Sequence, residues 1–303
     1  MTTEPTPIAP ETIGERLVRQ GRLSAGQVEQ IMALQQSQRL RFGEAAVKLG
    51  LLTDTEVKQV LSDQFNYANV LSDQAADAVQ LPIAHHPFGP EAEAIRQIRA
   101  GISEQLPPDT LSAIAILSPG NGEGKSYLAA SLAISFAQAG KRTLLLNANL
   151  RNESALSKLL NAPPHAGLSS ILANRAAATP GAAIPHFPLL RLLDAGPTPP
   201  NPTELLLEPR LSKLVELYRP HFDLILIDTP AFSLYSDAQI IARQADAALI
   251  VARQDQTSFD ALTAMRKQLD QVGSVVLGLT YNNAAEDRKK TFSLRRRKRQ
   301  SQA

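Results

Sequence analysis

The segment that decides the fold is SPGNGEGKSY, residues 118–127. A short apolar run, AIAIL at 113–117, precedes it, and a long helical stretch, LAASLAISFAQAGK at 128–141, follows it. Glycine-rich loops that connect a strand to a helix and end in Gly-Lys-Ser or Gly-Lys-Thr wrap the phosphates of a nucleotide. The segment therefore predicts a phosphate-binding loop, with a strand before it and a helix after it.

The loop departs from the full pattern at one position, where Pro119 stands in place of the first glycine. The remaining glycines still allow backbone N–H groups to curl around phosphate oxygens, and the helix that is predicted to open at Lys125 adds the dipole of its N-terminus. We expect Lys125 to reach the β- and γ-phosphates of ATP and Ser126 to ligate Mg²⁺. The residues of this segment that are predicted to contact the nucleotide are Gly120, Asn121, Gly122, Glu123, Gly124, Lys125, Ser126 and Tyr127.

A second predicted strand supplies an acid. DLILIDTP, residues 223–230, is an apolar run that ends in Asp228. A carboxylate at such a strand end can hold Mg²⁺ through water beside the phosphates. The two segments together predict ATP and Mg²⁺ as cofactors, with Lys125 and Asp228 as catalytic residues and Ser126 and Asp228 as metal-binding residues. The alternatives are a glycine-rich turn without a ligand and a strand-end aspartate that caps Thr229.

The C-terminal two thirds of the chain alternate short apolar runs with helical stretches. Continuous apolar strands separated by helices are typical of a parallel sheet that is covered on both faces. The predicted fold class is therefore α/β: a doubly wound, mostly parallel sheet of the P-loop NTPase kind, preceded by a small all-α repeat domain. The predicted strands are 113–117, 143–147, 189–196, 223–228, 247–252 and 275–281.

An internal repeat lies near the N-terminus. Residues 13–35 and 42–64 align without a gap at an offset of 29, with glycines and branched apolar residues at matching positions. Each unit predicts a short helix, a glycine stop and a second helix that begins with a capping box. The two predicted capping boxes are Ser24 with Gln27 and Thr53 with Glu56.

Composition limits the remaining possibilities. The chain has 303 residues, 44% hydrophobic and 20% charged, which suffices for one large and one smaller domain. It has no cysteine, which excludes disulfides and thiol catalysis, and no apolar run approaches a membrane span. The polar, proline-rich start does not predict a signal peptide. The predicted parts are a helical regulatory repeat (11–66), a linker with an amphipathic helix (67–110), a nucleotide-binding domain (111–285) and a basic tail (286–303).

Positive charge is concentrated in the tail. Residues 288–303 hold eight of the 31 Lys and Arg residues and none of the 29 Asp and Glu residues. We expect this segment to bind an anionic membrane, because each basic residue near such a surface contributes about 1 kcal/mol. Phe292 and Leu294 between the basic clusters favour a membrane over a polyanion such as nucleic acid. A disordered, solubilising tail is the alternative.

Three motifs together carry a resemblance to a known family. They are the loop SPGNGEGKS, the segment AGPTPPNPTELL at 195–206 and the segment DTPAFSLYSDAQ at 228–239. In combination they resemble the bacterial (BY-type) tyrosine kinases that control exopolysaccharide chain length. The EpsG-type members look most similar, because they also carry an N-terminal helical repeat unit. That unit is similar to the N-terminal, MshE-like domain of type II secretion ATPases, some of which bind cyclic di-GMP.

The segment 195–206 also predicts a helix by its residues alone. Asn201 would cap this helix, Pro202 would occupy its first position and Glu204 would close a capping box. These residue types at this spacing are typical of a helix N-terminus.

The resemblance implies an activity, partners and a location. The implied activity is ATP-dependent transfer of phosphate to protein tyrosine by a cytoplasmic protein at the inner face of the inner membrane. The implied partner is a membrane chain-length determinant, a polysaccharide co-polymerase. Glu93, Arg96 and Arg99 match the E-x-x-R-x-x-R pattern that mediates ring assembly in such kinases, although by physics alone they form a surface ion-pair helix. Asn282 falls where relatives place an asparagine that contacts the base.

The repeat unit leaves two kinds of partner open. In the secretion-ATPase relatives an arginine opens each cyclic di-GMP motif. Here Arg41 opens the second motif, but Thr12 stands at the first. We therefore expect docking of a partner protein, with cyclic di-GMP as the alternative.

One departure from the family pattern predicts impaired phosphate transfer. Relatives carry Asp where this chain has Asn147 and Asn149 in LLLNANLR, which makes this a degenerate Walker A′ motif. An amide carries no charge and accepts no proton, so we expect nucleotide binding without brisk transfer, and no acid on that side of the site. Asp228 or Asp237 is the alternative base. Changing both asparagines to Asp is expected to raise ATP turnover at least about tenfold.

A second departure concerns the substrate. Relatives carry a C-terminal tyrosine cluster that they phosphorylate in trans, whereas the tail of this chain has none, which excludes tail autophosphorylation on tyrosine. Two alternatives to a kinase stay open: a catalytically silent ATP-binding scaffold and a MinD/ParA-like positioning ATPase. The second class places another lysine five residues before the loop lysine, where this chain has Gly120. The tyrosines of the chain are Tyr67, Tyr127, Tyr218, Tyr235 and Tyr281.

Overall fold

The structure is a computed structural model. It describes residues 12–53, 56, 57, 60, 79–106, 112–151 and 155–282. The predicted basic tail and residues 67–78 of the predicted linker, which include Tyr67, lie outside these residues. Within the described part of the chain, no helix combines the length and the hydropathy that a membrane span needs.

The N-terminal repeat forms short helices around a core of its own. The helices are α1 (Ile13–Arg19), α2 (Ala25–Gln38) and α3 (Phe42–Lys48), followed by helical residues at 56, 57 and 60. Their apolar faces meet in a cluster of buried side chains. The buried members are Leu17, Leu23, Ile31, Ala45, Ala46, Leu52 and Val60. The boundaries of the predicted repeat domain stay a prediction.

Both predicted capping boxes are confirmed. The N–H of Gln27 donates to Ser24 Oγ at 3.3 Å, and the N–H of Ser24 donates back to the Gln27 side chain at 2.8 Å. The N–H of Glu56 donates to Thr53 Oγ1 at 3.2 Å, with the reciprocal bond at 2.7 Å. Each box satisfies two backbone donors at a helix start.

Close packing requires glycine at two matching positions of the repeat. Gly14 and Gly43 occupy matching positions in the two units. A Cβ at Gly14 would lie 2.9 Å from Val28 Cγ1, and a Cβ at Gly43 would lie 2.4 Å from Val57 Cγ1. The two valines also match in the alignment, so each unit packs its helices through the same close contact.

Two further helices precede the sheet. They are α4 (Pro82–His85) and α5 (Pro90–Gln105), and each has proline in its first turn, where a helix needs no N–H donor. Helix α5 buries Ala92, Ile95 and Ile102, which confirms the amphipathic helix predicted in the linker.

A mostly parallel sheet forms the centre of the larger part of the chain. Its strands are β1 (Ser112–Leu117), β2 (Thr143–Asn147), β3 (Ala182–Ile184), β4 (Phe187–Leu193), β5 (Leu224–Asp228), β6 (Ala247–Arg253) and β7 (Val276–Asn282). The order across the sheet is β3-β4-β2-β5-β1-β6-β7, and only the β3–β4 pair among these is antiparallel. All six predicted strands are confirmed. Strand β3 was not predicted, because three residues are too short to show a pattern.

Helices cover both faces of this sheet. Alternate residues of β1 face opposite layers: Ile114 and Ile116 belong to one core, and Ala113, Ala115 and Leu117 belong to the other. The predicted doubly wound α/β architecture is therefore confirmed. The helices are α6 (Lys125–Gln138), α7 (Ala155–Leu160), α8 (Leu168–Leu172), α9 (Pro202–Leu207), α10 (Arg210–Tyr218), α11 (Asp237–Gln244) and α12 (Phe259–Gln271).

Register places several strand ends side by side. Asp228 pairs with Ile116 of β1 on one side and with Asn147 of β2 on the other. Leu146 of β2 pairs with Leu193, the last residue of β4. Because carboxyl ends of parallel strands share one edge, the loops after β1, β5, β2 and β4 converge there.

The loop after β4 lies against the start of α8 through two glycines. A Cβ at Gly167 would lie 2.1 Å from Gly196 Cα, closer than van der Waals packing allows. The N–H of Leu168 donates to the carbonyl of Asp194 at 2.7 Å. This backbone contact fixes the residues that follow β4 at the converging edge.

We expect Gly167→Ala to lower the free energy of unfolding by about 1–3 kcal/mol, because the two backbone segments must separate. Gly101→Ala is a matched control, since Gly101 lies in α5 with open space around it. That control should be neutral or stabilising by up to about 1 kcal/mol. Urea unfolding followed by circular dichroism measures both variants, and equal effects would contradict the close contact.

Candidate functional site

The predicted phosphate loop forms between β1 and α6. Helix α6 begins at Lys125, as predicted, and its N-cap Gly124 has φ +98°. A left-handed residue at this point needs glycine, and a Cβ there would lie 2.1 Å from Asn282 Nδ2. Asn282 donates through Nδ2 to the carbonyl of Glu123 at 3.0 Å, so the end of β7 braces the loop. Contact of Asn282 with a base stays a prediction.

The loop lysine lies across the loop. Lys125 Nζ donates to Ser118 Oγ and to the carbonyl of Gly120, both at 2.9 Å. The side chain is buried, and this desolvation lowers the pKa of Lys125, although the carboxylates of Asp228 and Glu123 oppose the shift. The ammonium group is therefore held where phosphate oxygens would enter the loop.

The end of β6 and the segment after it also hold the loop. Arg253 Nη1 donates to the carbonyl of Gly122 at 2.7 Å, and Gln256 Nε2 donates to the carbonyl of Asn121 at 2.6 Å. Sequence reasoning missed both residues, because nothing in the sequence shows that β6 lies beside β1. Two carbonyl groups of the loop are thus held by side chains that follow or end β6.

Two of the residues predicted to contact the nucleotide form side-chain hydrogen bonds with other residues of the protein. Glu123 is buried and accepts hydrogen bonds from the N–H of Gly120 at 2.6 Å and from the hydroxyl of Thr257. Tyr127 donates through its hydroxyl to Glu91, which joins α6 to α5. Burial, together with Glu91, raises the pKa of the Tyr127 hydroxyl. Their contact with a nucleotide stays a prediction.

Ser126 and Asp228 meet at the centre of the site. The hydroxyl of Ser126 donates to Asp228 Oδ2 at 2.6 Å. Asp228 is 2% exposed, and its Oδ1 is buried without a hydrogen-bond partner. Burial raises the pKa of Asp228 to about 6, although the hydrogen bond from Ser126 and the charge of Lys125 oppose the shift.

This pair fits a magnesium ion. An orphaned carboxylate oxygen beside a serine hydroxyl is the hard-oxygen donor set that Mg²⁺ takes next to phosphates. In the described part of the chain, no group of three or more His, Cys, Asp or Glu side chains could hold a metal by itself. The remaining positions on the ion would thus be filled by phosphate and water.

A carboxylate, that of Asp194, lies beside Asn147. The expectation that the side of the site formed by Asn147 and Asn149 has no acid is therefore wrong. Asn147 Nδ2 donates to Asp194 Oδ1 at 2.7 Å, and Asn147 Oδ1 accepts the N–H of Asn149 at 3.0 Å. Asp194 directly follows β4, which neighbours β2 in the sheet. This pairing could not be predicted from the sequence, because the two residues are 47 positions apart and neither segment indicates the order of the strands in the sheet.

Asp194 is fixed by several partners. Its Oδ1 also accepts the N–H of Ala195 at 2.8 Å, and its Oδ2 accepts the hydroxyl of Ser157. Its own N–H donates to His165 Nε2 at 3.3 Å. The negative charge of Asp194 contributes to the raised pKa of Asp228, so the two carboxylates repel one another electrostatically.

Asp237, the alternative base, has other partners. It is fully buried and accepts from Arg151 Nε at 2.6 Å and from the hydroxyl of Thr203 at 2.7 Å. The guanidinium of Arg151 also lies 4.0 Å from the ring centroid of Tyr235, a cation–π geometry. This network ties the loop after β2 to α9 and α11, and it disfavours proton abstraction by Asp237.

The predicted cap of α9 is partly wrong. Pro202 occupies the first helical position, as predicted, but Asn201 makes no side-chain capping bond and Glu204 closes no capping box. Asn201 has φ −133° and ψ 66°, outside the extended conformation from which a capping side chain reaches the helix N–H groups.

The predicted ion-pair helix is partly confirmed. Arg96 Nη2 lies 2.7 Å from Glu93 Oε2, an ion pair one turn apart. Arg99 instead donates through Nη1 to the carbonyl of Ser135 at 2.6 Å, so it joins α5 to α6. Assembly of a ring through these residues stays a prediction.

Comparison with known proteins places the chain in a family. No family model matches the chain. It is 33% identical over 178 residues to the tyrosine-protein kinase CpsD of Streptococcus pneumoniae serotype 4, covering 59% of this chain and 78% of that protein. It is 28% identical over 201 residues to the putative tyrosine-protein kinase CapB of Staphylococcus aureus, covering 66% and 88%. The chain belongs to the BY-type bacterial tyrosine kinases.

Solved structures agree with this family. The kinase domain of the Escherichia coli tyrosine kinase ETK superposes with a TM-score of 0.63 and 25% identity, covering 72% of this chain and 86% of that chain. The chimerical protein CapA2B2 gives a TM-score of 0.63 and 26% identity, covering 75% and 99%. The predicted P-loop NTPase-like fold of this BY-type chain is confirmed.

Asp228 makes the stability of the free protein depend on pH. Its pKa is about 6 in the folded chain against 3.8 for an ordinary aspartate. Between these values the folded state binds more protons than the unfolded state, so the free energy of unfolding falls as pH rises from about 4 through about 6. We expect Asp228→Asn to remove this loss. The free energy of unfolding of the variant, minus that of the natural chain, should grow by on the order of 1–3 kcal/mol across this window.

Denaturant unfolding in the presence of a chelator measures this difference at several pH values. Asp223→Asn is the matched control, because Arg142 lowers the pKa of Asp223 and its titration falls below the window. The control difference should stay flat between about pH 5 and 6, where the difference for Asp228→Asn should still grow. A flat difference for Asp228→Asn as well would contradict a raised pKa.

Proposed function

We propose that the chain is an ATP-dependent protein-tyrosine kinase that acts in the synthesis or export of an extracellular polysaccharide. The observation that carries this proposal is the convergence of Lys125, Ser126 and Asp228 around one loop, with an orphaned buried oxygen on Asp228. Relatives named tyrosine-protein kinases support the reaction class. ATP and Mg²⁺ are the proposed cofactors.

Each residue of the site has a distinct role in the proposed phosphoryl transfer. The loop N–H groups and the start of α6 bind phosphate oxygens, and Lys125 neutralises their charge. Ser126 and Asp228 would hold Mg²⁺, which would supply positive charge beside the transferred phosphate. Arg151 and Asp237 fix the loop after β2, so that the wall of the site keeps its shape.

Asp194 changes the balance between a kinase and a silent scaffold. The expectation of impaired transfer rested on Asn147 and Asn149 leaving one side of the site without an acid. A carboxylate within hydrogen-bond distance of Asn147 favours a site that still transfers phosphate. The MinD/ParA-like alternative has no second lysine to support it, since Gly120 occupies that position.

The finer assignments of partner and location stay predictions. We propose that the kinase works with a membrane chain-length determinant, a polysaccharide co-polymerase, at the inner face of the inner membrane. The basic tail at 288–303 supports attraction to that surface by its charge. Ring assembly through α5 is part of the same proposal.

The role proposed for the N-terminal repeat is also a prediction. We propose an EpsG-like arrangement in which the repeat, similar to that of secretion ATPases, docks a partner protein, with cyclic di-GMP as the alternative. Thr12 and Arg41 occupy equivalent N-cap positions at α1 and α3, which supports the alignment of the two motifs. A groove that includes Arg41, Phe42 and Phe88 opens on this unit.

We expect Lys125→Ala to weaken ATP binding about 10- to 150-fold, because it removes a charge-assisted phosphate contact worth about 1.5–3 kcal/mol. Lys141→Ala is a matched control, since Lys141 is exposed beyond the far end of α6 and its loss changes the net charge equally. Calorimetric titration with Mg-ATP compares the two. Unchanged affinity in Lys125→Ala would overturn the nucleotide assignment.

We expect the full chain to form phosphotyrosine on an added tyrosine-containing polypeptide when supplied with radiolabelled ATP and Mg²⁺. Lys125→Ala should lose at least about 90% of this incorporation, because the phosphates are no longer neutralised. Cleavage of the labelled chain should leave the tail after Tyr281 free of phosphotyrosine, since it contains no tyrosine. ATP bound without any transfer would favour the scaffold over the kinase.

A further inference from the structure

Three side chains stand in a row where neighbouring strands end. Asp228 ends β5, Asn147 ends β2 and Asp194 follows β4, and the order β4-β2-β5 places the amide between the two acids. Adjacent strands are about 4.8 Å apart, so the outer carboxylates are roughly 10 Å apart along the edge. The edge therefore carries two acids at its outer positions and a neutral group between them.

Hydrogen bonds fix the orientation of the middle amide. Asn147 Nδ2 donates to Asp194 Oδ1 at 2.7 Å, and Asn147 Oδ1 accepts the N–H of Asn149 at 3.0 Å. The pair is nearly dry, with Asn147 2% exposed and Asp194 9% exposed. A carboxylate at position 147 would set oxygen against oxygen, and like charges so close and so poorly hydrated strongly destabilise a fold.

We propose that Asp194 is a positioning residue that carries the negative charge of this strand end, so that Asn147 and Asp194 act as one exchanged amide–carboxylate pair. The proposal rests on the proposed kinase function. Asp194 holds the Asn147 amide in one orientation and adds its charge to the edge that Asp228 shares. Asn147 is thus the partner that Asp194 requires. The site keeps one acid, Asp194, although the end of β2 has none.

The electrostatic consequence concerns the cation. A carboxylate roughly 10 Å from a doubly charged ion, at an effective dielectric constant of about 40 to 80, favours binding of that ion by about four- to sixteenfold. Asp194→Asn keeps the shape of the side chain and the oxygen that accepts from Asn147, removes the charge, and replaces the oxygen that accepts from Ser157 with an NH₂ donor. It should therefore weaken Mg²⁺ binding at the site without changing contacts to the nucleotide.

The test is a double-mutant cycle on the full chain: Asn147→Asp, Asp194→Asn, and the two together. The first readout is the thermal midpoint without nucleotide. Asn147→Asp alone should lower Tm by about 5 °C or more, and adding Asp194→Asn should recover at least about half of that loss. If Asn147→Asp prevents folding, recovery of a folded protein by the second change gives the same support. If the change in Tm of the double variant equals the sum of the two single changes, the proposed pairing is overturned.

The second readout separates a charge effect from a structural one. A fluorescent ADP analogue is titrated without Mg²⁺ and then with increasing Mg²⁺. Asp194→Asn should raise the half-saturating Mg²⁺ concentration about four- to sixteenfold and leave the Mg²⁺-free affinity within about twofold. The exchanged pair should return the Mg²⁺ value to within about twofold of the natural chain. An unchanged Mg²⁺ requirement in Asp194→Asn would overturn the proposal.

A control on the opposite edge completes the design. Asp223 precedes β5 at the other end of the strand, so Asp223→Asn removes an equal charge far from the loop and should leave the Mg²⁺ requirement unchanged. A natural chain that binds no nucleotide would overturn the proposed function and the role in cation binding. The Tm cycle would then still decide whether Asn147 and Asp194 form the exchanged pair.

Discussion

Parallel pairing of β1, β5 and β2 is the constraint on which the site depends. Register aligns Ile116, Asp228 and Asn147, so the residues that follow these strands meet at one edge. Each strand is buried on both faces, and the edge is the place where polar side chains reach the surface of the sheet. A shift of one residue in this register would turn Asp228 into the core and remove it from Ser126.

The same edge holds buried charge before any ligand is bound. Burial lowers the pKa of Lys125 and raises that of Asp228, so both groups are held in a medium that disfavours their charged forms. The proposed magnesium–nucleotide complex would supply the opposite charge to each of them. Its binding free energy would then include a favourable charge interaction that offsets this desolvation, and the groups would need no reorganisation when phosphate arrives.

Much of the fold could be predicted because its signals are local. The apolar strands, the start of α6 at Lys125 and the capping boxes of the repeat each depend on residues within a few positions of one another. What failed depends on strand order or on packing between distant segments. Arg99 contacts Ser135 and Asn147 contacts Asp194 because the fold brings them together, and neither segment records that contact. The missing cap at Asn201 follows from a backbone conformation that composition does not reveal.

The position of an acid in a site of this kind is a property of the edge rather than of one strand. A motif reads residues along one strand, whereas a cation and a phosphate sense charge from every strand that ends nearby. Moving one carboxylate from β2 to the end of β4 shifts it by one strand spacing, about 4.8 Å, and keeps that one negative charge at the edge. The neighbour must change with it, because two carboxylates at 2.7 Å exclude one another whereas an amide and a carboxylate attract. Asparagines in a motif that relatives fill with aspartate therefore indicate a lost acid only when the adjoining strand ends carry none.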